Sequence, residues 1–291
     1  MHIKFYYKKR DPVYYLLIAP LICILTVIIF ISIRDIDVAA SSEQIELPII
    51  MYHSLSESWN NKSKYVISPK LFEEDLKLIK EKGYEAIFIK DLIKFVYNEG
   101  DLPDKPIIIT FDDGYYNNFV YAYPLSIKYN SKIVISPIIK CTERYSEIDD
   151  KNINYSHITW ENINEMVKSG FVEIQNHTYD LHSSKNGRLG ASRSYNEGDE
   201  HYKKIITTDI MKAQEKLKEH SNIIPDAFVY PFGAVGKSSK SILKEIGFKC
   251  TLGCTSRLNK ITKDPECLYN LCRFIRLPNV PSETYFKKIL K

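Results

Sequence analysis

The sequence predicts one barrel-like α/β domain, its parallel strands alternating with helices, behind an amino-terminal membrane-spanning helix. Three observations carry this reading. Apolar, β-rich runs alternate with helical patterns about seven times between Leu47 and Leu277. Those runs are continuously apolar rather than alternating, as expected of parallel strands covered on both faces. Residues 13–33 (VYYLLIAPLICILTVIIFISI) carry no charge and only Pro20 as an interruption. At 1.5 Å per residue such a run crosses a ~30 Å hydrocarbon layer.

Lys4, Lys8, Lys9 and Arg10 precede the apolar run, and Arg34, Asp35 and Asp37 follow it. The basic side predicts a cytoplasmic tail at 1–12, a transmembrane anchor at 13–33, a polar linker at 34–46 and an extracellular domain at 47–291. The alternative is a cleaved export signal ending at Val38-Ala39-Ala40. Against it, the apolar run exceeds the ~7–15 residues of a signal core, and charges stand before the alanines. Both readings export the domain from the cytoplasm, and the first leaves it tethered to the cell membrane. The 40 Lys and Arg against 36 Asp and Glu leave a net charge of +4, too small over 291 residues for a nucleic-acid footprint. Beyond Cys23 stand Cys141, Cys250, Cys254, Cys267 and Cys272, an odd number for an exported domain. Buried free thiols fit best, ahead of disulfides or a four-thiolate zinc site, because neither cysteine pair has CxxC spacing.

Leu47 to His53 reads as a buried strand. Ser68-Pro69 opens a helix, with Ser68 as cap and proline at the first helical position; Leu71, Phe72, Leu76 and Ile79 keep its period, and Gly83 ends it. A strand at 84–89 leads to a short helix at 91–97 capped by Asp91. The strand 106–111 ends in Asp112-Asp113-Gly114, with a helix expected at 115–129. A strand follows around 133–139, and Thr159 opens another helix closed by Gly170. The strand 171–175 delivers Asn176-His177. Residues 183–206 form a long polar loop, a length expected of a lid or a disordered segment. Then come a charged helix at 208–220, a strand at 227–230, a helix at 238–246, a strand at 248–252 and a last β-like stretch at 274–277.

In an α/β barrel, reactive groups collect where strands end. Here one strand ends in Asp112-Asp113, another runs into His177 with His182 five residues on, and the first ends in His53. Two imidazoles and a carboxylate suit zinc or a similar borderline divalent ion, and three ligands leave room for water and substrate. A second carboxylate can take the proton of an attacking water. Asp-Asp-Gly alone is often only a turn, and two histidines are often core or surface residues. A five-residue spacing puts them on opposite sides of a regular strand, so they converge only if the chain leaves the strand between them.

Taken together these segments resemble the polysaccharide deacetylases, the NodB-homology or carbohydrate esterase family 4 group, over roughly residues 47–277. Thr110-Phe111-Asp112-Asp113-Gly114 resembles the first signature and His177-Thr178-Tyr179-Asp180-Leu181-His182 the second. Tyr230-Pro231-Phe232-Gly233 resembles the third, which lines the substrate groove. The longer histidine spacing and Ile50-Met51-Tyr52-His53-Ser54 are similar to the poly-N-acetylglucosamine deacetylase branch. The resemblance implies a distorted (β/α)7 barrel. It also implies metal-dependent hydrolysis of N-acetyl groups on N-acetylglucosamine residues of a cell-surface polymer, poly-N-acetylglucosamine or peptidoglycan. Asp113, His177 and His182 would hold the metal, zinc or else cobalt or nickel. Asp112 would be the base, with Tyr230 and Phe232 on the substrate and a backbone N–H near Phe232 on the oxyanion.

Two departures stand out. Val229 occupies the place of an arginine that most members carry, and no histidine follows residue 221, where most have a catalytic one. The branch resemblance assigns the acid role to His53 instead. Trp160, Asp180, Arg188 and Arg193 are lesser candidates for the groove or the surroundings of the metal. The departures keep open a non-catalytic carbohydrate-binding domain. They also keep open an O-acetyl esterase, whose leaving group needs less acid assistance.

Overall fold

The computed structural model describes residues 44–58, 63–184 and 187–291, together with Ile22, Leu25 and Thr26. The expected tail at 1–12, the anchor at 13–33 (those three residues aside) and nearly all of the linker lie outside the described residues. Among the described residues no helix is long and apolar enough to cross a membrane. One compact unit spans Ile45–Lys291.

Its strands in chain order are β1 (Ile45–Leu47), β2 (Ile49–Tyr52), β3 (Ser54–Leu55), β4 (Val66–Ile67), β5 (Glu85–Ala86) and β6 (Pro106–Asp113). After them come β7 (Ile133–Pro137), β8 (Val172–Ile174), β9 (Ala227–Val229), β10 (Cys250–Leu252), β11 (Asn259–Ile261) and β12 (Phe274–Ile275). The order β12-β2-β6-β7-β8 is parallel throughout. β8 passes to β9 through the bridge Asn176–Phe228, β9 pairs with β10, and β10 meets the chain just ahead of β12 through Leu252–Leu271. β12 returns to β2, where the Arg276 N–H donates to the Met51 carbonyl at 3.0 Å. Seven strands thus close a ring whose two seams are isolated bridges, a distorted barrel. The domain begins two residues before 47, because β1 pairs antiparallel with β11.

Strand parity sorts the apolar runs. In β6, Ile108 joins Ile49, Val134, Val229 and Leu252 in a cluster built largely from strand residues. Ile107, Ile109 and Phe111 point the other way, onto Phe72, Leu76, Ile163 and Leu217 of the covering helices. Every residue of β6 is buried, and each such Ile or Phe side chain contributes roughly 1.5–3 kcal/mol.

Ser68 accepts the Leu71 N–H at 3.1 Å and Thr159 the Asn162 N–H at 3.2 Å, so two of the three expected caps are made as read. Other boundaries differ. The short helix runs Ile89–Val96; Asp91 is its third residue and accepts the Phe88 N–H at 3.1 Å. The expected helix 115–129 is a π-helical turn, Asn118–Ala122, followed by a helix at Tyr123–Tyr129, since Pro124 has no N–H to continue the first ladder. A helix at Ile139–Ile148 was not expected. The charged helix starts at Asp199, not 208, with Asp199 and Glu200 favourably placed in its first turn, so the polar loop ends at 198. The five cysteines from Cys141 onward are free, with Cys250 and Cys272 buried.

Candidate active site

Asp112 follows Ile108 and Thr110 on one face of β6, so its carboxylate continues that face to the strand's end. Its neighbour should point to the opposite face. Asp113 escapes that parity with φ 69°, and both carboxylates line one cavity of about 580 Å³. Gly114 (φ 69°) continues the turn where a Cβ would lie 2.6 Å from that of Pro137, so the turn needs glycine. His157 holds the other side: its Nδ1 lies 3.0 Å from the Asp113 carbonyl, its ring stacked on Tyr115.

The histidines converge because the chain leaves β8 before reaching them. Asn176 pairs with Phe228, and Thr178 then takes φ 79°, its N–H donating to Asn176 Oδ1 at 2.8 Å. The Tyr179 and Asp180 N–H groups donate to the Asp209 carboxylate at 2.8 and 2.9 Å, which anchors the reversed segment to the long helix. The chain break that the five-residue spacing demands is therefore present. His177 Nδ1 donates to the Val229 carbonyl at 2.7 Å, fixing the tautomer that leaves Nε2 free. That Nε2 lies 3.5 Å from Asp113 Oδ1, and His182 Nε2 lies 3.2 Å from the same oxygen.

One ligand atom from each of Asp113, His177 and His182 falls within 4.8 Å of the others, and among the described residues this is the one such cluster. Asp113 Oδ1 is buried without a hydrogen-bond partner. An orphaned carboxylate oxygen facing two imidazole nitrogens fits a bound divalent cation. Burial acts to raise the Asp113 pKa, but His177, His53 and His182 outweigh it and hold the group ionised below the usual carboxylate range.

Asp112 is held by Arg273. Guanidinium Nη1 and Nη2 donate to its two oxygens at 2.7 and 2.8 Å, while Nε donates to the Gly253 carbonyl at 2.8 Å. Burial, the largest single effect, opposes ionisation of Asp112; the charge and hydrogen bonds of Arg273 together with His177 and His53 outweigh it, so the carboxyl sits below its ordinary pKa. Sequence reasoning missed Arg273. It sought an arginine at position 229, where the Val229 carbonyl instead orients His177. The available signal was a cation inside the strand-like run Cys272–Leu277.

His53 stands at the end of β2 and lines the same cavity. Asn118 Nδ2 donates to its carbonyl at 2.7 Å, and its ring lies 4.7 Å from that of Tyr65. Its Nδ1 is buried without a partner. Burial lowers its pKa, against the pull of Asp112 and Asp113. Phe232 (φ 58°) turns onto the rim with its ring 4.3 Å from that of His182.

Tyr230 does not belong to this cavity. Strand parity puts it with Phe228 in an outer cluster, 1% exposed, its hydroxyl 2.9 Å from Ser239 Oγ; it cannot meet a polymer. Trp160 stacks on His220, and Asp180 pairs with Lys140 at the surface. Arg188 and Arg193 pair with Glu197 and Asp199, so the loop is braced internally. Tyr65, Tyr115 and Cys254 line the cavity and were not foreseen.

The profile of the polysaccharide deacetylase family matches residues 99–251, just over half of the chain. The chain belongs to the polysaccharide deacetylase family. Among its relatives is the poly-beta-1,6-N-acetyl-D-glucosamine N-deacetylase of Escherichia coli K12. That protein is 22% identical over 217 residues, covering 68% of this chain and 32% of the relative. The enzyme of the same name from Staphylococcus aureus MSSA476 is 26% identical over 201 residues, covering 69% and 64%. The chain thus spans about a third of the length of the first relative and under two thirds of the second. The fold is shared with the Streptococcus pyogenes deacetylase PplD, solved with acetate. The TM-score is 0.70 at 21% identity, over 86% of this chain and all of that one.

Proposed function

We propose that this family member is a metal-dependent hydrolase that removes N-acetyl groups from N-acetylglucosamine residues of a cell-surface polysaccharide. A poly-N-acetylglucosamine polymer is the favoured substrate, since two relatives are named for that activity. The observation that carries the reading is the meeting of a cation-ready Asp113–His177–His182 cluster with an ionised, Arg-held Asp112 and with His53 in one cavity. The uncharged run at 13–33 and its basic flank support an extracellular domain tethered to the cell membrane.

Asp113, His177 and His182 would hold the cation, zinc or else cobalt or nickel. When bound it supplies Lewis acidity toward water and the acetamide carbonyl. Each Asp112 oxygen spends one lone pair on Arg273 and keeps another, on which it takes the proton of the attacking water. Arg273 keeps that carboxylate ionised and oriented. A backbone N–H near Phe232 would stabilise the developing oxyanion, as the family resemblance suggests. His53 gives its proton to the departing amine nitrogen as the C–N bond breaks. Acetate leaves with the oxygen of the water, and the sugar keeps a free amine.

The test is acetate release from β-1,6-linked N-acetylglucosamine oligomers, with bound metal measured in parallel. His53→Ala is expected to lower turnover about 10²–10⁴-fold while metal content stays at the wild-type level. Unchanged turnover removes His53 from the acid role. Acetate released from acetylated xylan but not from the oligomers makes the enzyme an esterase, and release from neither makes it a binding domain.

A further inference from the structure

A second cavity, of about 640 Å³, adjoins the reaction centre and takes no part in the chemistry above. Arg188, Ser194, Tyr195, Asn196, Glu197 and His201 line it. Leu181 and Ser183 line it too, and His182 between them lines the reaction cavity, so the two spaces meet at consecutive residues.

This space is built rather than incidental. Glu197, 8% exposed, accepts from Arg188, from the Ser194 N–H at 3.1 Å and from His201 Nδ1 at 2.8 Å. Arg193 adds Nε to the Glu197 carbonyl, and Tyr202 donates to the Ala191 carbonyl at 2.8 Å. The loop also rests on the reaction centre's rim. Gly190 (φ 55°) approaches so closely that a Cβ there would lie 2.8 Å from the Pro231 carbonyl oxygen and 3.2 Å from the Phe232 ring. Residues 187–198 of the polar loop therefore form a braced wall.

Over this polar floor stands Tyr195, 92% exposed. An uncovered aromatic ring beside carboxylate, guanidinium, imidazole, amide and hydroxyl groups matches the two-sided chemistry of a pyranose. One face of such a sugar is C–H rich and stacks; its hydroxyl and acetamide edges hydrogen-bond. We propose that the cavity behind residues 181–183 is a saccharide subsite that holds a sugar of the same polymer next to the reacting one, with Tyr195 as its stacking platform. This rests on the deacetylase reading for its choice of polymer.

The test is calorimetric binding of a β-1,6-linked N-acetylglucosamine pentamer and of methyl N-acetylglucosaminide to the full chain. Tyr195 is almost wholly exposed, so Tyr195→Ala leaves the fold intact. It is expected to weaken pentamer binding about tenfold and monosaccharide binding less than twofold, while Tyr195→Phe keeps wild-type affinity. Pentamer affinity within twofold of wild type for Tyr195→Ala overturns the proposal. So does an equal loss on the monosaccharide, or no pentamer binding by the wild type. Acetate release from the pentamer is measured alongside. Binding without acetate release defeats the deacetylase reading alone, because the subsite is judged on affinity.

Discussion

Replacing Arg273 by Met strips a buried carboxylate of its counter-charge. The side chains of Arg273 and Asp112 are 0% and 4% exposed, so solvent cannot take over from the lost guanidinium. Two charge-assisted bonds vanish at 2.7 and 2.8 Å, and the Gly253 carbonyl loses its donor at 2.8 Å. Removing one partner of such a pair typically costs about 3–5 kcal/mol, because the survivor stays buried and unpaired. For a domain of this size each kcal/mol moves the melting temperature by ~2–4 °C, so Arg273→Met should melt roughly 6–20 °C below wild type. Calorimetry at pH 7 on chelated protein measures this. The double variant Asp112→Leu/Arg273→Met removes both charges and should recover more than half of the loss. Acetate release should be lost in both. A single variant melting within a degree of wild type would refute the reasoning, since Arg273 would then be neutralising nothing.

Three further outcomes follow from the geometry. Gly114→Ala forces a Cβ to 2.6 Å from that of Pro137 at φ 69°; a loss of about 2 kcal/mol or more and weakened metal binding are expected by melting and metal titration. Glu173 caps the helix Ile89–Val96 through the Ile89 and Lys90 N–H groups, and burial, aided by the Asp226 charge, pushes its pKa from 4.5 up to about 8. The folded state therefore holds a proton that the unfolded state releases near 4.5. Stability tied to it is full below that pH and is lost as pH rises through about 8. Glu173→Gln should accordingly gain on wild type in melting temperature between pH 5 and 8, and parallel curves would remove that assignment. Tyr230→Phe should leave acetate release within about twofold of wild type, because the tyrosine hydroxyl meets Ser239 rather than the cavity.

Local signals were legible where the answer lies within one element. The run Pro106–Phe111 ending in two aspartates showed a buried strand with a reactive tip, and Ser68 and Thr159 showed their helix starts. The histidine spacing required a break in the strand, and Thr178 at φ 79° provides it. The placement of Tyr230 is legible in strand parity: it shares a face with Phe228, whereas Phe232 reaches the cavity through a left-handed turn. What stayed hidden depends on closure of the ring. Arg273 lies 161 residues from Asp112, and only the return of β12 to β2 brings them together. The bracing of 187–198 by Arg188 and Arg193 was hidden likewise, because charged residues in a polar stretch look solvated until their partners are placed.

Metal titration against acetate release reaches the heart of the account. Chelated protein is titrated with zinc while bound metal and acetate from a β-1,6-linked N-acetylglucosamine oligomer are followed together. One equivalent should bind and restore release in proportion, and His177→Ala should lose both. Release that persists in the chelated enzyme, or full activity in His177→Ala, would contradict it.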